Sequence, residues 1–171
     1  NWVGGVPNNE TGIRIDNNYT ISDDMEVCSC TVSAGKTLTI QEGKTLIILE
    51  NIVVEAGAKI VLENNGSLVQ IDDNATYTGV LNSFEMKRNS QPVFRLDYTY
   101  WSSPVKENSG FTLSNLSPQT MFNKFLKWNH AGTPQAWQVV SNGAEAMVPG
   151  RGYLVRAPQN YNIEGAGAPQ E

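Results

Sequence analysis

The chain has 171 residues, with 12 Lys+Arg against 17 Asp+Glu and a net charge of −5. At 40% hydrophobic residues it is too apolar to stay disordered, and its length suits one medium domain or two small ones. The acidic balance and the lack of a Lys/Arg block argue against nucleic acid or an anionic membrane as partner. No apolar run approaches the roughly 20 residues of a membrane span, and one His with two Cys leaves little for a metal cage or a His-based relay.

Composition changes along the chain. Residues 1–85 carry 4 basic and 12 acidic side chains, four aromatics and one Pro, whereas residues 86–171 carry 8 basic, 5 acidic, eleven aromatics and seven Pro. Such a shift marks a domain boundary, with Asn82-Ser83 or Arg88-Asn89-Ser90 as the junction. With no initiator Met, no signal peptide and no closing element at Gly165–Glu171, the chain is expected to be a piece of a longer polypeptide whose other domains are its partners.

The first half contains a repeat. Gly35-Lys-Thr-Leu38-Thr-Ile40, Gly43-Lys-Thr-Leu46-Ile-Ile48, Gly57-Ala-Lys-Ile60-Val-Leu62 and, slightly out of phase, Gly66-Ser-Leu68-Val-Gln-Ile71 each join a Gly turn to alternating apolar positions. That alternation is the period-2 signature of a strand with one buried face. Gly35 to Gly57 spans 22 residues and Gly43 to Gly66 spans 23, the size of one β-solenoid rung. At this period Leu38 stacks under Ile60, Ile40 under Leu62, Cys30 under Ile52 and Val32 under Val54. A lower rung then begins with Ile13 and Ile15 beneath Gly35 and Thr37. An antiparallel meander with Gly turns is the alternative.

The second half predicts strands over Val93–Tyr100, Trp137–Val140 and Gly152–Arg156, with one helical turn over Pro118–Leu126 capped by Ser117. Aromatic strands with Pro-containing loops suit a β-sandwich. The fold class is therefore all-β: a short β-solenoid over 1–85, then a β-sandwich-like region over 86–171 that is incomplete if the chain continues. Pro149-Gly150 predicts a type II turn, with Tyr153 beside the strand at 98–101 and Arg151 in solvent.

Three segments, together with the solenoid repeat, carry a likeness: Asn1 to Pro7, Tyr98-Thr-Tyr-Trp-Ser-Ser-Pro-Val105, and Ala146-Met-Val-Pro-Gly-Arg-Gly-Tyr-Leu-Val-Arg-Ala-Pro158. In these the chain resembles large exported cell-surface proteins of Bacteroidota, substrates of type IX secretion linked to gliding motility or adhesion. The resemblance implies a secreted protein or one on the outer surface of a Gram-negative bacterium, contact with the secretion machinery during export, and no catalytic residues.

The chemistry-bearing residues are few. Cys28 and Cys30, two apart in an expected strand, would point to one face as small buried residues, form a strained or intermolecular disulfide, or serve metal or redox work. His130 sits in a turn-like segment without a nucleophile or orienting carboxylate, and Tyr100-Trp-Ser-Ser103 is not a nucleophile elbow. Asp72, Asp73 and Asn74 could hold a structural calcium or merely shape a turn; no other cofactor is expected. Glu42, Glu50, Glu55 and Glu63 alternate with apolar residues as a solvated face, unlike the basic cleft of a polysaccharide lyase. Tyr98, Tyr100, Trp101, Trp128, Trp137 and Tyr153 either build the core, the favoured reading, or form a platform for surface glycans. Tyr98 and Tyr100 must lie opposite Trp101. The expected function is a non-catalytic structural or adhesive module; a carbohydrate-binding module is the alternative and a polysaccharide-degrading enzyme a distant one.

Overall fold

Apolar alternations of three or four residues separated by short corners cannot bury their apolar face alone, so neighbouring copies must stack. A computed structural model shows how; it describes residues 2–80, 82–104 and 110–171 and divides the chain into two units, Asn1–Asn89 and Ser90–Glu171. Asn1 and Val105, the outermost residues of two of the resemblance segments, lie outside the described residues.

The first unit is the solenoid. Its strands are β1 (Ile13–Ile15), β2 (Tyr19–Ile21), β3 (Met25–Val27), β4 (Cys30–Val32), β5 (Thr37–Ile40), β6 (Thr45–Ile48), β7 (Ile52–Val54), β8 (Lys59–Leu62), β9 (Ser67–Gln70), β10 (Tyr77–Thr78) and β11 (Phe84–Met86). Each pairs in parallel with the strand three places on, which makes three walls: β1-β4-β7-β10, β2-β5-β8-β11 and β3-β6-β9. Leu38 pairs with Ile60, Ile40 with Leu62, Cys30 with Ile52 and Val32 with Val54, the stacking that the 22-residue period predicts. Because β11 pairs with β8, the first unit extends past residue 85 to Asn89.

The lowest rung departs from the sequence expectation. Ile13 and Ile15 pair with Cys30 and Val32, 17 residues on, and not with Gly35 and Thr37. The spacing then widens to 19 at Tyr19–Leu38, 21 at Met25–Leu46 and 22 in the central rungs. Both corners and strands are shorter: β1–β2 and β2–β3 are joined by three residues where β4–β5 and β5–β6 use four, β3–β4 by two where β6–β7 uses three, and β2 and β3 have three residues where β5 and β6 have four. At Gly35, Gly43 and Gly57 the four-residue corners need φ of +69°, +69° and +70°, and at the fourth such corner Asn65 takes the role at +59°. Gly66 thus lies one position past the left-handed residue, which removes the phase slip of the fourth copy.

Packing follows the alternation. Ile21, Val27, Val32, Leu38, Ile40, Leu46, Ile48, Ile60 and Leu62 are fully buried in one continuous core, and each such aliphatic side chain contributes about 1.5–3 kcal/mol. Corner Asx side chains tie rung to rung. Asn18 Oδ1 accepts from the Thr37 N–H at 3.0 Å, Asp24 Oδ1 from Thr45 at 2.9 Å, Asn51 Oδ1 from Thr76 at 2.8 Å and Asn64 Oδ1 from Asn89 at 3.0 Å. These satisfy amides that no ladder reaches. At one end Trp2 packs on Tyr19, with centroids 4.7 Å apart. On the third wall the inward position passes from Ile48 to Gln70, whose amide donates to the carbonyls of Glu50 and Thr76 at 2.8 and 3.1 Å.

The second unit is an antiparallel sheet of β12 (Tyr98–Trp101), β13 (Phe125–Asn129), β14 (Ala136–Val139) and β15 (Tyr153–Arg156) in the order β12-β15-β13-β14. Leu113, Phe125, Val140, Met147, Tyr153 and Val155 form its core. The sandwich-like layering is completed by a helical turn and loops, with no second sheet among the described residues of this unit. Helix α1 is Leu113–Leu116, not Pro118–Leu126. Thr112 Oγ1 accepts from the Asn115 N–H and Asn115 Oδ1 accepts from the Thr112 N–H, a closed capping box, while Ser117 ends the helix instead of starting one. Phe125 and Leu126 therefore open β13. Val93–Asp97 is likewise not strand: the Asp97 N–H donates to Phe94 O at 2.9 Å and closes a turn before β12. The Arg151 N–H donates to Val148 O at 3.1 Å with Gly150 at φ +73°, the expected turn, and Tyr153 pairs with Trp101; Arg151 is half-buried rather than free in solvent. No helix among the described residues is long and apolar enough to cross a membrane.

Candidate functional site: the open face of the antiparallel sheet

Strand alternation decides which aromatics the core takes. Tyr153 and Val155 point into it, so Leu154 and Arg156 point away, and their partners Tyr100 and Tyr98 follow them. Leu154 lies opposite Leu126, and Leu126 opposite Val139, so one apolar row crosses all four strands. In the next row Trp128 faces Trp137 across β13–β14. The Trp128 N–H reaches Gly152 O at 3.3 Å, and Gly152 has no side chain to separate the rings. Tyr100 and Trp137 therefore meet at 6.0 Å between centroids, and Trp128 and Trp137 at 5.4 Å.

This face is wet. Tyr100 is 73% exposed, Val139 55%, and Tyr98 and Trp128 38% each. Four of the five candidate ring residues, Tyr98, Tyr100, Trp128 and Trp137, share it; Trp101 packs against the core on the other side. The reading of the whole aromatic set as core is corrected: Tyr153 is fully buried and Trp101 is at the rim, while the other four leave the core because the pairing puts them on the side of Leu154, opposite to Tyr153 and Val155.

Sequence reasoning did not single out Arg156. It lies opposite Tyr98 on this face and is only 8% exposed. Its Nε has no hydrogen-bond partner, and Nη2 reaches only the Met121 thioether, at 3.9 Å. The Tyr-Leu-Val-Arg alternation was the available signal, since it places Arg156 beside Leu154.

The remaining candidates are dispersed. Asp72 Oδ1 accepts from the Asn74 N–H at 2.8 Å and from Asn74 Nδ2 at 3.3 Å, an Asx turn, with Asp73 exposed beside it. Among the described residues no three His, Cys, Asp or Glu side chains are gathered for a metal. Cys28 and Cys30 do not share a strand face: Cys28 is half-buried at the β3–β4 corner and Cys30 is buried in β4, and both thiols are free. Burial pushes the Cys30 thiol up to about 12. Cys28 is raised too, first by desolvation and then by the charge and hydrogen bond of Glu50. Both stay neutral, which makes them poor nucleophiles and ligands. His130 is exposed in the β13–β14 connection.

A family model described as a domain of unknown function, DUF8693, matches residues 1–169. The chain belongs to that family. The match runs through both units, so solenoid and sheet form one family module. No curated protein and no solved structure matches the chain.

Proposed function

We propose that this chain is a non-catalytic structural and adhesive module of an exported bacterial cell-surface protein, a substrate of type IX secretion. The observation that carries the reading is the exposed ring-bearing face of the second unit, on a sheet whose other side buries Phe125, Tyr153 and Val155 in the core. Contiguous exposed apolar surface on a folded domain serves interaction, and the solenoid supplies a stiff, repetitive support. The two most specific segments of the resemblance fall on β12 and β15, which pair with each other through Trp101 and Tyr153. Antibodies raised against residues 1–171 should label intact cells of the source bacterium, and only permeabilised cells when type IX secretion is disabled. Labelling confined to permeabilised wild-type cells would overturn the surface assignment. The ring geometry favours a second reading, a carbohydrate-binding module, because exposed indole and phenol rings offer apolar faces to pyranose sugars.

A further inference from the structure

We infer that the open sheet face binds an acidic polysaccharide, with Tyr98, Tyr100, Trp128 and Trp137 stacking on sugar rings and Arg156 meeting a uronic-acid carboxylate. This rests on the carbohydrate reading and adds the ligand's charge. Arg156 is the deciding group. A guanidinium taken out of water without a counter-ion carries a heavy desolvation cost, yet its Nε is unpartnered and its one polar contact is a weak sulfur acceptor. The acid beside it in the pairing is Asp97, whose carbonyl accepts the Ala157 N–H at 2.9 Å, and its Oδ2 is committed to the Phe94 N–H at 2.8 Å. Lys124 places a second cationic residue alongside, since its carbonyl accepts the Arg156 N–H at 3.1 Å. A buried cation with no anion among the described residues, opposite Tyr98 on the face that also carries Tyr100, Trp128 and Trp137, is complementary to a ligand that is both ring-shaped and negative.

A peptide suits the face less well. In the middle of the sheet, β15 and β13 have ladders on both sides, so the face offers rings but no free backbone groups for an extended chain to pair with. Sugar rings stack through their C–H faces and need none. Residues 90–171 carry six basic against five acidic side chains, so the diffuse charge of this unit is nearly balanced and adds little attraction for a polyanion.

The test uses the purified 171-residue chain, three glycan probes (polygalacturonate, the same polymer with its carboxylates methyl-esterified, and neutral dextran) and polyglutamate as a control polyanion without sugar rings. Binding is read by gel-retardation and by tryptophan fluorescence. The expected result is retardation by polygalacturonate, weakened at least about tenfold by esterification, and none by dextran. Trp137→Ala and Tyr100→Ala should each weaken binding about tenfold or more. Arg156→Lys should retain part of the binding that Arg156→Met loses. Should Arg156→Met misfold, the wild-type salt dependence decides, because a charge contact weakens with ionic strength. Equal binding of the esterified polymer would overturn the acidic-ligand inference while leaving the carbohydrate reading intact. Binding of none of the three would overturn both. Equal retardation by polyglutamate, or undiminished binding by the Trp137 variant, would overturn sugar stacking.

Discussion

The two units handle apolar surface in opposite ways. In the solenoid each wall sends every second residue inward, and the inward positions of the central rungs, from Cys30 to Leu62, are sealed. In the sheet unit Phe125, Tyr153 and Val155 seal one face, while the opposite face carries rings and aliphatics that stay in contact with water. The solenoid spends its apolar residues on stability; the sheet holds some back. What separates the two units is therefore not hydrophobicity but whether the pairing pattern leaves apolar residues on an exposed face.

The largest effect that sharpens this contrast is a core truncation. Ile60→Ala, in the middle of the second wall, should cost about 2–5 kcal/mol in urea unfolding. Tyr100→Ala or Val139→Ala on the open face should stay within about 0.5 kcal/mol. Comparable losses at Ile60 and Tyr100 would break the comparison.

Next in size is a backbone test in the second unit. Gly143 sits at φ +60°, and a Cβ there would come within 2.8 Å of the Ser114 amide nitrogen and 3.0 Å of the Phe125 ring. Gly143→Ala should therefore cost on the order of 1–3 kcal/mol by strain alone, measured by thermal unfolding of this unit. Gly150 has φ +73° but open space around it, so Gly150→Ala should be the milder change.

A smaller effect separates the units by pH. The hydrogen bond from Lys59 Nζ, at 2.8 Å, lowers Glu85 from its ordinary value of 4.5, and the Ser33 hydroxyl, then Arg14, lowers Asp16. A lowered folded-state value means that the stabilisation is present above the ordinary carboxylate range and is lost as pH falls through the depressed one. The solenoid should lose stability on acidification below its optimum, and Glu85→Gln should flatten that slope. An unchanged acid slope in Glu85→Gln would remove this pair from the account.

The smallest effect is chemical. Cys28, at a corner, should react slowly with a thiol reagent in the native state, and Cys30 only on unfolding. Equal native reactivity would mean that the first rung opens locally.

Much of this was legible in the sequence, for physical reasons that differ along the chain. The central rungs could be read because Gly35, Gly43 and Gly57 mark equal corners and the inward residues alternate between them. The lowest rung could not be placed, because shorter corners at Asp16–Asn18 and Ser22–Asp24 change the period without altering the alternation. Ser117-Pro118 mimics a helix start, but the reciprocal Thr112–Asn115 cap just upstream takes the helix, and that exposes Phe125–Asn129 as a strand. At the site, alternation alone put Tyr98 and Tyr100 opposite Trp101. It could not say which side was covered, since that depends on Leu113 of α1, Val140 just after β14 and Met147 packing onto one face of the sheet. Arg156 stayed hidden for the same reason: only the pairing with Tyr98 shows a cation on the ring face.

The central claim is a division of labour, with the solenoid as scaffold and the open sheet face as the site. Hydrogen–deuterium exchange on the whole chain, with and without polygalacturonate, tests it most directly. The account predicts added protection confined to 98–101, 125–129, 136–139 and 153–156, with no change from 13 to 86. Protection that appears on the solenoid walls, or nowhere, would contradict it.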